Sequence, residues 1–177
     1  ERERKGKWRR LTLLPVSTQT GSGKTYTMEG EGTLEEQGIN CRTLREAFAL
    51  ADERTAATGY AFAFHAEYLE VYQEAVRDLL AADRAVGLEV RQTPAGHVFA
   101  EGLTAVRLRC PGDLETVVAA GARRRAVGSH KMNDQSSRSH AILTVTCEAI
   151  ARDGRVTAAR LHLVDLAGSE RVAKIDA

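Results

Sequence analysis

The sequence predicts an α/β fold, and three observations support this prediction. Stretches with strand-like and helix-like patterns alternate along the chain. A glycine-rich loop at residues 21–25 comes directly before a stretch with a helical pattern. A nearly all-apolar strand at residues 161–164 is followed by Asp165, a pattern typical of a buried central strand that carries an acid at its tip.

The composition is that of one globular domain. Of the 177 residues, 43% are hydrophobic and 28% are charged, which excludes wholesale disorder, collagen and a coiled coil. No apolar run approaches the ~18 residues of a membrane span. The formal net charge of +1 gives no general reason to expect nucleic acid or acidic lipid as a partner. The first ten residues are the exception, because six of them are basic.

The cysteines and histidines do not form a recognisable metal or disulfide pattern. Cys41, Cys110 and Cys147 lie far apart and form no Cys-x-x-Cys pair, which argues against a disulfide framework and a zinc site. We expect all three cysteines to be small core residues in a reducing compartment. None of the five histidines has a partner at metal-ligand spacing.

The first half of the chain predicts a helix and a long strand. Apolar residues recur at helical spacing from Ile39, and Gly59 is placed to end that helix. Residues 61–72 are rich in aromatic and aliphatic side chains and predict a strand. Residues 74–80 are interpreted as a short helical turn, and residues 87–102 as one or two short strands around a turn.

The second half predicts a helix followed by a hairpin. Pro111 opens the helix, with Asp113 as a candidate cap. Residues 123–125 are three arginines in the last turn, where cations suit the helix dipole. A polar loop at 128–139 follows, and then two strands, at 141–149 and 155–166, around an Asp-Gly turn.

The loop at residues 19–25 carries the first chemical signal. Gly23, Lys24 and Thr25 match the last three positions of the phosphate-loop pattern, in which glycine amides face the phosphates. In that pattern the lysine reaches the β and γ oxygens, and the hydroxyl binds Mg²⁺. The alternative interpretation is a flexible Gly/Ser turn before a helix.

The start of the same loop departs from the pattern. Thr18 occupies the position of the first glycine, and a β-branched residue poorly tolerates a positive φ. The strand expected before the loop, at 11–17, contains Pro15, which cannot donate a hydrogen bond in a central ladder.

Two further segments complete a set of three. Residues 133–140 form a hydroxyl-rich loop before a strand, which suits a γ-phosphate and Mg²⁺ sensor. Asp165 ends an apolar strand and is followed by a small residue and Gly168, as in a Walker B acid with a second switch. The alternatives are a solvated loop with local hydrogen bonds and an ordinary strand-end turn.

The order of these three segments resembles the kinesin motor domain. The phrases that carry the resemblance are GSGKTYTM (21–28), EYLEVYQEAVRDLL (67–80), VGSHKMNDQSSRSHA (127–141) and ARLHLVDLAGSERVAK (159–174). The resemblance runs from residue 19 to about residue 176. It implies a partial motor domain at 19–177, truncated at both ends, with a central sheet and helices on both faces. Residues 1–18 are then an atypical basic segment.

The resemblance also implies an activity and a location. Members of the family are ATPases that couple hydrolysis of Mg·ATP to movement along microtubules. The implied cofactors are ATP and Mg²⁺, the implied partner of the full-length parent is tubulin in microtubules, and the implied location is the cytoplasm and cytoskeleton. The alternative is a kinesin-like binding protein that does not hydrolyse ATP, or an inactive fragment. It is suggested by Thr18 in place of the first phosphate-loop glycine and by the absence of the microtubule-binding C-terminal half of the domain.

The resemblance assigns roles to residues position by position. Those that would hold the nucleotide are Gln19, Thr20, Gly21, Ser22, Gly23, Lys24, Thr25 and Tyr26, the last near the base or ribose. Those that would hold Mg²⁺ are Thr25, Ser137 and, through water, Asp165. Those that would act at the γ-phosphate are Asn133, Ser136, Arg138, Gly168 and Glu170.

Among the last group, Gly168 would sense the γ-phosphate through its N–H. Arg138 and Glu170 would form the salt bridge that closes the site and helps position the attacking water. Arg125 matches an arginine before the first switch, the segment 133–140. The second switch is the segment 165–170. His140 is expected to be a structural hydrogen-bonding residue and not a base.

Overall fold

The computed structural model describes residues 14–16, 23–30, 37–82, 87–127 and 138–168, with backbone alone for 14–16 and 126–127. The strands are β1 (Leu14–Val16), β2 (Ala61–Tyr72), β3 (Ala75–Asp78), β4 (Val90–Gln92), β5 (Val98–Ala100), β6 (Ala105–Leu108), β7 (His140–Ile150) and β8 (Val156–Asp165). The helices are α1 (Lys24–Glu29), α2 (Ile39–Thr58) and α3 (Pro111–Val127).

The described strands form one main sheet and a separate hairpin. The main sheet has the order β1-β8-β7-β2-β3, and β6 also pairs with β2. Long antiparallel ladders join β2 to β7 and β7 to β8, whereas β1 runs parallel to β8. β4 and β5 pair with each other outside this sheet. The β7–β8 ladder ends with Ala141 opposite Asp165, which brings the acid to the sheet edge next to the end of β1.

The three helices pack on one face of the sheet. Phe64, Ala66 and Tyr68 alternate along β2 with half-buried residues and are buried on the helical side. The Phe48 ring of α2 stacks on Phe64 with centroids 4.3 Å apart. Gly121 of α3 lies so close to the Tyr68 ring that an added Cβ would overlap it. These contacts fix α2 and α3 relative to the strand between them.

The opposite face carries the β4–β5 hairpin. Between the hairpin and the sheet lies a groove of about 880 Å³, lined by apolar residues that include Leu69, Val71, Ile142 and Phe99. The resemblance implied helices on both faces, and the helices of the described part cover one of them. No helix among the described residues is long and apolar enough to cross a membrane.

Several predicted elements are confirmed. α2 ends at Thr58, and Gly59 follows with φ 70°, a left-handed conformation that glycine adopts without strain. β2 has the predicted bounds. β7 and β8 form the predicted hairpin, and the predicted strands between 87 and 102 are β4 and β5.

The helical turn predicted at 74–80 is wrong. Residues 75–78 form β3, which pairs antiparallel with the end of β2. Gln73 and Glu74 both have positive φ, 48° and 66°, and this tight turn returns the chain along β2. Backbone pairing with β2 therefore overrides the helical pattern of the segment.

The structure also differs from three smaller expectations. β1 forms despite Pro15, because it is the last strand on its side of the described sheet, where a missing N–H is tolerated. Asp113 is the third residue of α3 and reaches back, so that its Oδ2 accepts from Arg109 N at 2.6 Å. Cys110 is exposed, whereas Cys41 is buried and Cys147 is half-buried.

Candidate functional site

The start of α1 places the predicted lysine and threonine. Gly23 precedes the helix with φ 80°, a left-handed conformation in which an L side chain would be strained. Its carbonyl accepts from Thr27 N at 2.8 Å and so closes the first turn. Lys24 and Thr25 are then the first two helical residues, and both are half-buried.

Thr25 and Asp165 meet in space although 140 residues separate them. The Thr25 hydroxyl donates to Asp165 Oδ2 at 2.9 Å. β8 ends at this aspartate, which is only 5% exposed. The resemblance implied that these two residues share a metal ion, and the fold brings their oxygen atoms together.

Arg125 joins α3 to the same carboxylate. Its Nη1 donates to Asp165 Oδ2 at 3.2 Å, and its Nη2 to Ser139 Oγ at 3.4 Å. The guanidinium is 7% exposed. Arg124 and Arg125 lie in the last turn of α3, as predicted, but Arg125 is also buried against acids, which the sequence did not indicate. Arg123 is exposed, and Arg124 donates to Leu79 O.

Two more carboxylates surround this guanidinium. Glu29, the last residue of α1, places Oε1 3.7 Å from Arg125 Nη1. Glu70, in β2, places Oε1 3.7 Å from Arg125 Nε and is 2% exposed. The Tyr68 hydroxyl donates to Glu29 Oε1 at 2.8 Å. We call Glu29, Glu70, Arg125 and Asp165 the buried charge cluster.

The buried charge cluster carries more acids than cations. Arg77 contacts the far side of Glu70 at 3.8 Å but is 43% exposed, so solvent screens it. Three carboxylates then share one buried guanidinium.

Burial sets the protonation of the cluster. Loss of solvation raises the pKa of Glu29, against the opposing effects of the Tyr68 hydrogen bond and Arg125. Burial also raises the pKa of Tyr68, which keeps its hydroxyl a donor. Burial disfavours the charge on Arg125, but the acidic groups of Tyr68, Asp165 and Glu29 outweigh this effect and raise its pKa.

The oxygen atoms at this point fit Mg²⁺. A hydroxyl and a carboxylate are hard oxygen donors, which Mg²⁺ prefers, and it usually keeps several waters. Among the residues that the structure describes, no three His, Cys, Asp or Glu side chains are grouped so as to hold a metal. A metal at Asp165 would therefore need hydroxyl, phosphate or water oxygens to complete its shell.

A hydrogen bond just beyond the end of β8 holds the first part of the second switch. Ala167 N donates to His140 Nδ1 at 3.0 Å, so His140 is the structural hydrogen-bonding residue that was expected. Gly168 follows and is half-buried. Arg138 lies exposed in the turn before β7.

The remaining predicted site residues are either exposed or outside the described part of the chain. Tyr26 is 51% exposed on α1. The following predicted residues lie outside the described part of the chain: Thr18, Gln19, Thr20, Gly21, Ser22, Asn133, Ser136, Ser137 and Glu170.

Sequence reasoning missed Glu29, Tyr68 and Glu70. One signal was present in β2, where Phe62, Phe64, Ala66 and Tyr68 mark the buried face by their alternation. Glu70 continues that alternation as a carboxylate on the buried face. An acid at a core position requires a partner, so it predicts a buried cation.

Comparison with known proteins gives one consistent family. A family model described as the kinesin motor domain matches residues 18–177. The kinesin-like protein KIN-14E of Oryza sativa subsp. japonica is 42% identical over 160 residues, which are 89% of this chain and 14% of that protein. The kinesin-like protein KIN-14R of Arabidopsis thaliana is 41% identical over 160 residues, again 89% of this chain and 14% of that protein.

Solved structures agree with the sequence comparisons. A fast kinesin, whose structure was described for its ATPase mechanism and interactions with microtubules, matches with a TM-score of 0.82 and 33% identity over 91% of this chain. The motor domain of the kinesin-like protein KAR3 from Saccharomyces cerevisiae matches with a TM-score of 0.71 and 30% identity over 88% of this chain. The chain spans 46% of each of these two structures.

Proposed function

This chain belongs to the kinesin motor family, and on that premise we propose that it binds Mg·ATP and forms part of an ATP-driven microtubule motor. The observation that carries the proposal is the hydrogen bond between Thr25 and Asp165, at the start of a helix that follows Gly23 and begins with Lys24. A phosphate-loop threonine next to a strand-end acid is the pair that an NTPase needs to hold a metal–phosphate complex.

Each element would contribute one part of the binding site. The amides around Gly23 would face the phosphates, and Lys24 would reach the β and γ oxygens. Thr25 would contact Mg²⁺ directly, and Asp165 would contact it through water. When bound, Mg²⁺ would neutralise charge on the phosphate oxygens.

The remaining roles concern hydrolysis. We assign the sensing of the γ-phosphate to the Gly168 amide, and assistance there to Asn133 and Ser136. Ser137 would be the second hydroxyl on Mg²⁺. Arg138 and Glu170 would form a salt bridge that closes the site around the attacking water. Positioned donors and charges of this kind typically change turnover by about 10²-fold or more each.

A titration of the intact protein with a fluorescent ATP analogue tests nucleotide binding. Lys24→Ala should abolish binding, because it removes the cation that contacts the β and γ oxygens. Arg54→Ala removes an exposed cation of α2 and is the matched control, which should bind as the wild type does. Equal binding by wild type and Lys24→Ala would refute the assignment.

Steady-state ATPase measurements test the closing salt bridge and the alternative of a non-hydrolysing protein. Arg138→Ala and Glu170→Ala should each lower turnover by about 10²-fold or more. The double variant should be little worse than either single variant, because the pair acts as a unit. Fully multiplicative losses would contradict the bridge, and nucleotide binding without turnover in the wild type would favour the alternative.

Microtubule co-sedimentation tests the proposed partner and the location at the cytoskeleton. The intact protein should pellet with microtubules in a manner that depends on the bound nucleotide. The comparison of a non-hydrolysable ATP analogue with ADP gives the measurement. Pelleting that is absent in both nucleotides, or that disappears with moderate salt and ignores the nucleotide, would contradict a motor function.

A further inference from the structure

The second switch begins where β8 ends and passes the first residue of β7. The β7–β8 ladder closes with Ala141 opposite Asp165, and Ala167 lies two residues beyond that pair. Its amide hydrogen is directed to a side chain, because Ala167 N lies 3.0 Å from His140 Nδ1. The imidazole of His140 thus adds one hydrogen bond to the chain just beyond the last backbone pair of the β7–β8 ladder.

His140 is itself firmly held. Its backbone pairs with Val71 of β2 in the long central ladder, and its side chain is half-buried. The preceding residue, Ser139, is fully buried and lies 3.4 Å from Arg125, which contacts Asp165. Two consecutive residues therefore hold the start of the second switch, one through Arg125 at Asp165 and one directly at Ala167.

The hydrogen bond defines the state of the ring. A backbone amide can only donate, so Nδ1 must be the unprotonated nitrogen, and the ring hydrogen of the neutral imidazole is on Nε2. The peptide unit that ends in Ala167 N is planar and is held by this contact. Only φ and ψ of Ala167 then separate the held amide from the Gly168 amide.

We propose that His140 is a positioning residue of the second switch. By holding the Ala167 amide, it restricts the directions in which the Gly168 N–H can point, and it thereby sets the preference of the site for a nucleoside triphosphate over a diphosphate. This inference rests on the proposed function, since it takes Gly168 to contact the γ-phosphate. His140 acts through Ala167 and touches no reacting atom.

Two substitutions in the intact protein separate positioning from packing. His140→Asn places an amide oxygen near the position of Nδ1 and keeps an acceptor, whereas His140→Leu keeps an apolar side chain without one. Dissociation constants are measured for Mg·ADP and for Mg²⁺ with a non-hydrolysable ATP analogue. His140→Leu should weaken the triphosphate about fivefold relative to the diphosphate, the effect of one hydrogen bond. His140→Asn should recover most of that preference.

An unchanged preference for the triphosphate in His140→Leu would overturn the inference. If the affinities for both nucleotides fell equally, His140 would have only a structural role. Lys24→Ala is measured in parallel. If that variant binds both nucleotides normally, the proposed function fails whatever the histidine variants do.

A measurement on the wild type tests the hydrogen bond between Ala167 and His140 without any substitution. With ¹⁵N labelling, NMR should detect a coupling across the hydrogen bond between Ala167 N and His140 Nδ1, and an Nδ1 shift typical of an unprotonated nitrogen. Absence of the coupling in the folded protein would overturn the inference. Its presence would support the inference even if His140→Leu failed to fold.

Discussion

Arg125 is the residue on which the buried charge cluster depends. It contacts the carboxylates of Glu29, Glu70 and Asp165, which come from α1, β2 and β8. One side chain of α3 thus links three other elements through charge. Buried acids without a cation are costly, because the interior solvates charge poorly.

Arg125→Ala should lower the free energy of unfolding by about 3–5 kcal/mol, since it leaves three acids without their buried partner. Arg123→Ala, on the exposed side of the same helix, is the matched control and should change it by no more than about 0.5 kcal/mol. Urea denaturation measures both. Similar losses in the two variants would show that the cluster contributes no more than an exposed charge.

Glu29 should make stability depend on pH. Burial raises its pKa above the ordinary value of 4.5, so the folded state binds the proton more tightly than the unfolded state does. The wild type therefore loses stability as pH rises from the ordinary pKa through the raised one. Glu29→Gln cannot ionise and keeps an acceptor for Tyr68. The stability of this variant relative to the wild type should rise across that window and then level off.

Urea denaturation of Glu29→Gln at a series of pH values checks this prediction. Glu53→Gln, at an exposed position of α2, controls for the general effect of removing a carboxylate. If the stability difference between wild type and Glu29→Gln stays constant with pH, burial does not disfavour the ionised form of Glu29.

At the scale of elements, α3 is positioned by its closeness to β2. Gly121 allows the helix to approach the Tyr68 ring, whose hydroxyl then reaches Glu29. Four residues further on, about one helical turn later, α3 delivers Arg125 to the sheet edge. The packing of one glycine therefore determines where the buried guanidinium lies.

Gly121→Ala should destabilise the protein by about 1–3 kcal/mol, because the added methyl group overlaps the Tyr68 ring. Gly112→Ala in the first turn of the same helix is the control. An added Cβ there meets only Cys110 Sγ at 3.8 Å, so the substitution should stabilise by about 0.5–1 kcal/mol through helix propensity. Thermal or urea unfolding should show opposite signs, and equal signs would contradict the packing argument.

Among the residues that the structure describes, the two faces of the sheet are covered differently. One face is covered by helices, and the other holds the groove beside the β4–β5 hairpin. Val90, Val98 and Phe99 of this hairpin are exposed, with Val98 at 62%. A contiguous apolar region of this kind promotes association, whereas single exposed apolar residues are common.

Val98→Lys should therefore raise, by several-fold, the highest concentration at which the 177-residue chain is still monomeric. The control is Leu50→Lys, at an exposed apolar position of α2 on the other side of the sheet, and it should have a smaller effect. Sedimentation velocity over a range of concentrations measures the difference. An equal effect of the two lysines would assign the change to net charge and not to the hairpin.

The sequence by itself determined the fold class and the family, and it predicted which local segments would carry the chemistry. The patterns around Gly23, Asp165 and His140 are local, because loop geometry, strand periodicity and a helix start depend on neighbouring residues. For the same reason α2, β2 and the β7–β8 hairpin were predicted close to their observed bounds.

The tertiary structure decided which residues meet. β3 formed where a helical turn was expected, because pairing with β2 satisfies its backbone groups better than an isolated turn does. Arg125, Glu29 and Glu70 lie on three elements, and no local pattern contains their 3.7 Å approaches. These charged side chains are of types usually found at the surface. Because they are buried where the three elements meet, each acid needs the cation for its stability.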